Sequence, residues 1–169
     1  MAVAQRPQVG DVFTIACDER HVGVGQVVAK YGNDAYFFAV FEKVLNAKEV
    51  QECLYEALES DIRFLALSLD AKIYVGDWPI IGSADVRADL PLPAYQEAVE
   101  SGDHVDVVDY SGTRRRRASR HEVKQLDTRK IVAPVRLERA LRADLGLEPW
   151  VAAFDALRPH GMSTRQAFA

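Results

Sequence analysis

Apolar and polar residues change their period several times along this chain, and each change marks an element. From Gly10 to Phe41 the run GDVFTIACDERHVGVGQVVAKYGNDAYFFAVF predicts three short strands. Alternation sets Phe13, Ile15 and Cys17 on one face of the first strand, and Asp18, Glu19 and Arg20 supply the turn into the second. Gly23 and Gly25 share one face of that second strand, where two missing side chains permit strong bending or the close approach of another backbone. Tyr36 to Phe41 is apolar without a break, so both faces of the third strand should be covered. The three together predict a small, sharply curved antiparallel sheet.

The period then lengthens. Val50, Cys53, Leu54, Ala57 and Leu58 recur at helical spacing behind Asn46 and Glu49, a variant of the capping box, and the opposite face is polar. Ile62 to Leu69 reads as a buried strand, with Asp70-Ala71-Lys72 as the turn into a partner strand from Ile73 to Val75. Pro79 ends that hairpin, because proline brings no N–H to a ladder. Pro91 and Pro93 mark a loop and the start of a short helix from Ala94 to Glu100, closed by Gly102. Ser119 with Glu122 caps a helix through Leu126, and Lys130 to Val132 adds a strand. Two C-terminal helices follow. Leu137, Ala140, Leu141 and Leu145 line the first, and Trp150, Val151, Phe154 and Leu157 bury in the second. His160 to Ala169 has no period and reads as a flexible tail.

Composition narrows the organisation. A chain of 169 residues with 49% hydrophobic content supports one core, so residues 1–169 are expected to form a single domain with its core at 8–158 and a tail at 159–169. The opening residues MAVAQRPQ lack a basic start followed by an apolar block, and no later apolar run reaches the length needed to span a bilayer. A soluble, cytoplasmic protein with no membrane partner is the expectation. Cys17 and Cys53 are the only cysteines, which excludes a disulfide framework and a four-cysteine zinc site and leaves two reduced core thiols. The formal charge of -4 is mild.

Four consecutive arginines, Arg114 to Arg117, invite a nucleic-acid reading that their placement opposes. Ser111-Gly112 fits a hairpin turn, and counting outward sets Tyr110 opposite Thr113, Asp109 opposite Arg114, Val108 opposite Arg115 and Asp106 opposite Arg117. Successive strand residues point to opposite faces, so Arg114 and Arg116 separate from Arg115 and Arg117 and no basic ridge forms. An arginine-rich edge strand also resists unwanted pairing. No nucleic-acid partner is expected.

The search for chemistry is mostly negative. His21, His104, His121 and His160 are scattered, without His-x-His or His-Glu-x-x-His spacing, so no metal site is assigned. Gly23-Val24-Gly25 lacks the third glycine of a dinucleotide fingerprint, and no other cofactor motif occurs. Asp18, Glu19 and His21, or Asp103, His104 and Asp106, could form an acid/base cluster, but no serine lies in a nucleophile-elbow setting. No catalytic residue is assigned.

Gly10-Asp11-Val12-Phe13, the Gly-x-Gly-x-Val of Gly23 to Val27, the aromatic third strand and Trp78-Pro79-Ile80-Ile81-Gly82 together resemble the immunity protein 26 family. The resemblance spans Gly10 to Leu126 and continues in Arg117-Ala118-Ser119 with Glu122. It implies a protein that protects bacteria by binding and neutralising toxins of polymorphic toxin systems, through occlusion of a cognate toxin and without a cofactor. Some sequences of the group are grouped with a small organophosphate-hydrolysing protein, so a small organophosphate or ester hydrolase using Asp18, His21 or His104 is the rival, with a general protein-interaction module as the third reading. The fold expected is α+β: a curved, partly barrel-like antiparallel sheet with flanking helices and a helical C-terminus. Candidate partner contacts are the acids Asp77, Asp85, Asp89, Asp103 and Asp106, with Trp78 as either an interface anchor or a core plug.

Overall fold

A computed structural model describes residues 4–169. The alternating N-terminal run forms β1 (Asp11–Ala16), β2 (His21–Tyr31) and β3 (Ala35–Phe41), each antiparallel to the one before. Every residue of β3 is buried, as its unbroken apolar run requires. A two-residue β4 (Leu45–Asn46) pairs with the start of β2 and leads into α1 (Val50–Glu59). Asn46 is thus occupied by β4, and α1 starts at Glu49 without a side-chain cap, so the predicted capping box is absent. Strand β5 (Ile62–Leu69) does not turn back into a hairpin. It pairs with the free edge of β3, and Ile73 to Val75, predicted as its partner strand, instead lie in and just after a single helical turn, α2 (Ala71–Tyr74). With β3 as partner, the segment after β5 need bury only Ile73, and one helical turn achieves that. The chain then crosses to the far side of the sheet as β6 (Ile80–Ser83), beside β1, in the order β5-β3-β2-β1-β6.

A second sheet follows. Ala94 to Glu100, predicted as helix, contains strand β7 (Tyr95–Ala98), antiparallel to β8 (Val105–Val108), which pairs in turn with β9 (Arg115–Arg117). Tertiary pairing overrides the helical propensity of this segment, and the Gln96 side chain donates to the carbonyls of Val123 and Leu126. After β9 comes α3 (Arg120–Gln125), with the reciprocal Ser119–Glu122 capping box that the spacing predicts, and then β10 (Asp127–Thr128), parallel to β7. The predicted strand at Lys130 to Val132 reduces to one bridge between Val132 and Ser68. Helix α4 (Pro134–Asp144) opens on proline and buries Leu137, Ala140 and Leu141, and a 3-10 turn at Ala152–Leu157 replaces the last predicted helix, leaving Val151 exposed. In the stretch expected to be a flexible tail, α5 (Thr164–Ala167) carries its own Ser163–Gln166 capping box and buries Thr164 and Ala167.

The fold is α+β, and neither sheet closes into a barrel. By their internal contacts the residues group into two compact units. The first runs through Val86 and resumes over Ile131–Pro159; the second comprises Arg87–Lys130 and His160–Ala169. In the first, Phe13, Phe38 and Trp78 meet the apolar face of α4 and Phe154. The glycines explain how tightly: a Cβ at Gly23 would reach the Leu141 methyl at 2.5 Å, and one at Gly25 would enter the ring of Phe13. Close approach is therefore by side chains of β1 and α4, not by another backbone. The core of the second unit is smaller, built on Ala94, Val107, Leu126 and Ala167.

Candidate functional site

Three of the six sequence-predicted contact residues lie in the first unit, around β6. The Trp78 N–H donates to the Lys72 carbonyl at 2.9 Å, which brings the chain off α2 and into the sheet. The Trp78 side chain is 0% exposed, stacked on Phe13 at 5.3 Å and 4° and edge-on to Phe38. Its indole fills the core and presents nothing to a partner in this structure. Asp77 is exposed and accepts from Lys72 Nζ at 3.0 Å; that hydrogen bond, with Glu138 at 3.4 Å, holds the ammonium above its ordinary pKa. Asp85, two residues past β6, is exposed and makes no ion pair among the described residues. Immediately upstream, Tyr74 and Val75 stand 52% and 66% exposed, because the single inward residue of α2 is Ile73. Two large apolar groups, a half-exposed strand and two carboxylates thus follow one another within a dozen residues.

The other three acids lie in the second unit. Asp89 pairs with Arg87 at 3.0 Å. Asp103 is exposed and, like Asp85, makes no ion pair among the described residues. Asp106 is largely covered: Arg115 reaches it at 3.0 Å and His104 at 3.3 Å. This follows from the arginine hairpin, whose register is the one counted outward from Ser111-Gly112: Val108 faces Arg115, Asp106 faces Arg117, and the Asp109 N–H donates to the Arg114 carbonyl. Arg115 lies over Asp106 and Glu97, while Arg114 and Arg116 turn to the ring of Phe168 at 4.9 and 5.7 Å. The arginines therefore divide between two faces, and Arg114, Arg115 and Arg116 each reach a carboxylate.

Asp109 is a residue whose role sequence reasoning understated. It ties the hairpin tip together, accepting from the N–H groups of Thr113 and Arg114 and from the Ser111 hydroxyl, while Gly112 takes a φ of 82°. Burial alone would raise its pKa, but these donors and the Arg114 charge outweigh it and hold the carboxyl below the ordinary range. The paired signal, an aspartate two residues before Ser-Gly, is visible in the chain. Glu122 is perturbed more strongly. The bidentate hydrogen bond from Arg116, reinforced by the Ser119 N–H, lowers it to about 2.

The residues considered for acid/base chemistry are separate small clusters. His21 Nδ1 lies 3.0 Å from both oxygens of Asp18 at the β1–β2 turn, and Asp18 is held low by the Arg20 N–H and then by His21. His104 contacts Asp106 in the second unit. Among the described residues no three His, Cys, Asp or Glu side chains converge in a metal-binding arrangement, and the Cys17 thiol, buried beneath the sheet, is pushed up to about 11. A shallow cleft in the second unit is lined by Gln125, Gly161, Met162 and Gln166, a set without an ionisable group.

Among the described residues no helix is long and apolar enough to cross a membrane. A protein-family model described as Immunity protein 26 matches residues 8–105, which include β1 to β7, Trp78, and the acids Asp77, Asp85, Asp89 and Asp103. No curated protein matches the chain, and no solved structure does.

Proposed function

The chain belongs to the immunity protein 26 family, and from that premise we propose that it binds a cognate bacterial toxin and neutralises it by occlusion, with no chemistry of its own. The observation that carries this reading is the family match over more than half of the chain. The candidate acids of each unit support it in kind. Asp85 and Asp103 are exposed carboxylates without an ion pair among the described residues, the form in which a charge steers an incoming partner at least cost in desolvation. Asp77 and Asp89 are exposed with one cation each, and Asp106 is a hairpin brace whose contribution to a partner is small.

In this mechanism a preformed surface covers the toxin's active site or a neighbouring exosite. Electrostatic attraction sets the rate of capture, and apolar contact sets the rate of release. The test uses the protein encoded beside its gene as the candidate toxin. Complex formation should abolish the toxin's activity at equimolar ratio. Association should slow several-fold between low and physiological salt, while dissociation changes much less. Asp85→Asn with Asp103→Asn should reproduce the slowing with the fold intact. Capture that ignores both salt and the double substitution removes these acids from the site, and a toxin left active by its bound partner defeats the occlusion mechanism.

A further inference from the structure

We propose that the outer edge of β6 is a strand-addition site, on which a basic, extended segment of the partner pairs with the first sheet between Asp77 and Asp85. Among the described residues, the strand order leaves β6 with a single neighbour, β1. Its register with β1 shows which backbone groups remain. Ala84 N–H donates to the Gly10 carbonyl at 3.0 Å, and the pairs Val12–Gly82 and Asp11–Ser83 continue the same register. Hydrogen-bonded and non-bonded pairs alternate in an antiparallel ladder, so Ser83, between Gly82 and Ala84, turns its N–H and C=O away from β1. Gly82 and Ser83 are both exposed. The ladder is interrupted between Val12 and Phe13, where Ile81 is the extra residue, so the usable rail centres on Ser83 and runs toward Asp85.

The other edges are guarded. At β5, the Val132 N–H donates to the Leu67 carbonyl and Ser68 Oγ to the Val132 carbonyl. At β9 every residue is arginine, and Arg116 Nη1 donates to the Arg117 carbonyl. Strand β10 is two residues long. Strand β6 carries no charge within it, and its flanks carry carboxylates at both ends. That arrangement selects the occupant. A second copy of this chain adding antiparallel about Ser83 would set Asp85 opposite the apolar Ile81 of its neighbour and supply no cation to it. A strand bearing lysine or arginine at its ends meets opposite charges there, and the exposed Tyr74 and Val75 just upstream offer it an apolar foothold.

This inference rests on the toxin-binding reading only for the source of the strand, and its test does not need the toxin. The isotope-labelled full chain is titrated at low salt with a blocked heptapeptide of alternating lysine and valine, and with its glutamate and valine counterpart. The lysine peptide should shift the Ser83 and Asp85 amides and slow their hydrogen exchange, and the glutamate peptide should not. Asp77→Asn with Asp85→Asn should weaken the lysine peptide about fivefold, as two exposed ion pairs predict, and Ser83→Pro should abolish it in a chain whose melting curve is retained. If Ser83→Pro fails to fold, the double Asn variant decides. Shifts that map elsewhere, equal response to both peptides, no response, or concentration-dependent dimerisation through β6 would each overturn the proposal. Toxin captured equally well by the edge-blocked variant would remove the edge and leave the immunity reading; peptide docking without toxin capture would do the reverse.

Discussion

Gly25→Ala should destabilise the first unit, and the cost follows from what surrounds one missing methyl group. Gly25 sits opposite Phe13 in the β1–β2 ladder, and a Cβ there would fall inside contact distance of three atoms of the Phe13 ring. The ring cannot retreat, since Trp78 is stacked on it at 5.3 Å and Phe38 closes its edge at 5.3 Å. Overpacking of this kind costs about 1 to 3 kcal/mol. Against it stands a gain of about 0.4 to 1 kcal/mol from the less flexible unfolded chain, available because Gly25 has no left-handed φ. A net loss of roughly 1 to 2 kcal/mol should lower the melting temperature by about 2 to 8 °C. Gly23→Ala is the internal control. Its Cβ meets the end of the Leu141 side chain, which has two rotatable bonds but is wholly buried, so its cost should be smaller than that of Gly25→Ala without vanishing. Urea titrations followed by tryptophan fluorescence, read together with thermal melts, separate the two. Phe13→Leu with Gly25→Ala should lose less than the sum of the single changes. A Gly25→Ala variant as stable as the parent, or one less costly than Gly23→Ala, would refute this account of the core.

Trp78→Ala should cost about 3 to 5 kcal/mol, since the indole is wholly buried; an unchanged melting temperature with faster partner release would make it an anchor instead. The Glu122 carboxyl, lowered from 4.5 to about 2, contributes stability that is whole above pH 4.5 and lost as pH falls toward 2. Glu122→Gln should flatten the urea-midpoint profile over that window, and an unaltered slope would dissociate Glu122 from acid stability. Ellman's reagent at neutral pH should modify Cys53 in the native protein and Cys17 only on unfolding, because burial raises the Cys17 thiol to about 11; two fast thiols would contradict that burial.

Features governed by near neighbours were legible in the chain. The arginine hairpin register follows from Ser111-Gly112, and the α3 capping box from Ser119 and Glu122, because both are settled within a few residues. Features governed by distant pairing were not. Ile62 to Leu69 reads as one arm of a hairpin until β3 supplies its partner, and Ala94 to Glu100 reads as helix until β8 does. The same division holds at the candidate site. The acids were visible as residue types, but the sequestration of Asp106 depends on where Arg115 lands, and the exposed edge of β6 depends on strand order.

The interleaving of the two units has a consequence for how the chain can be cut. Their boundary is crossed at Val86–Arg87, at Lys130–Ile131 and at Pro159–His160. A protease that nicks one crossing releases nothing, since the remaining two still tether the halves, and a nicked sample should keep its native mass until denatured. Nor does any continuous stretch of coding sequence specify either unit. Exchange of one unit between relatives would require paired substitutions at separate places in the gene, so new partner preferences are reached more readily through single surface residues than by swapping modules.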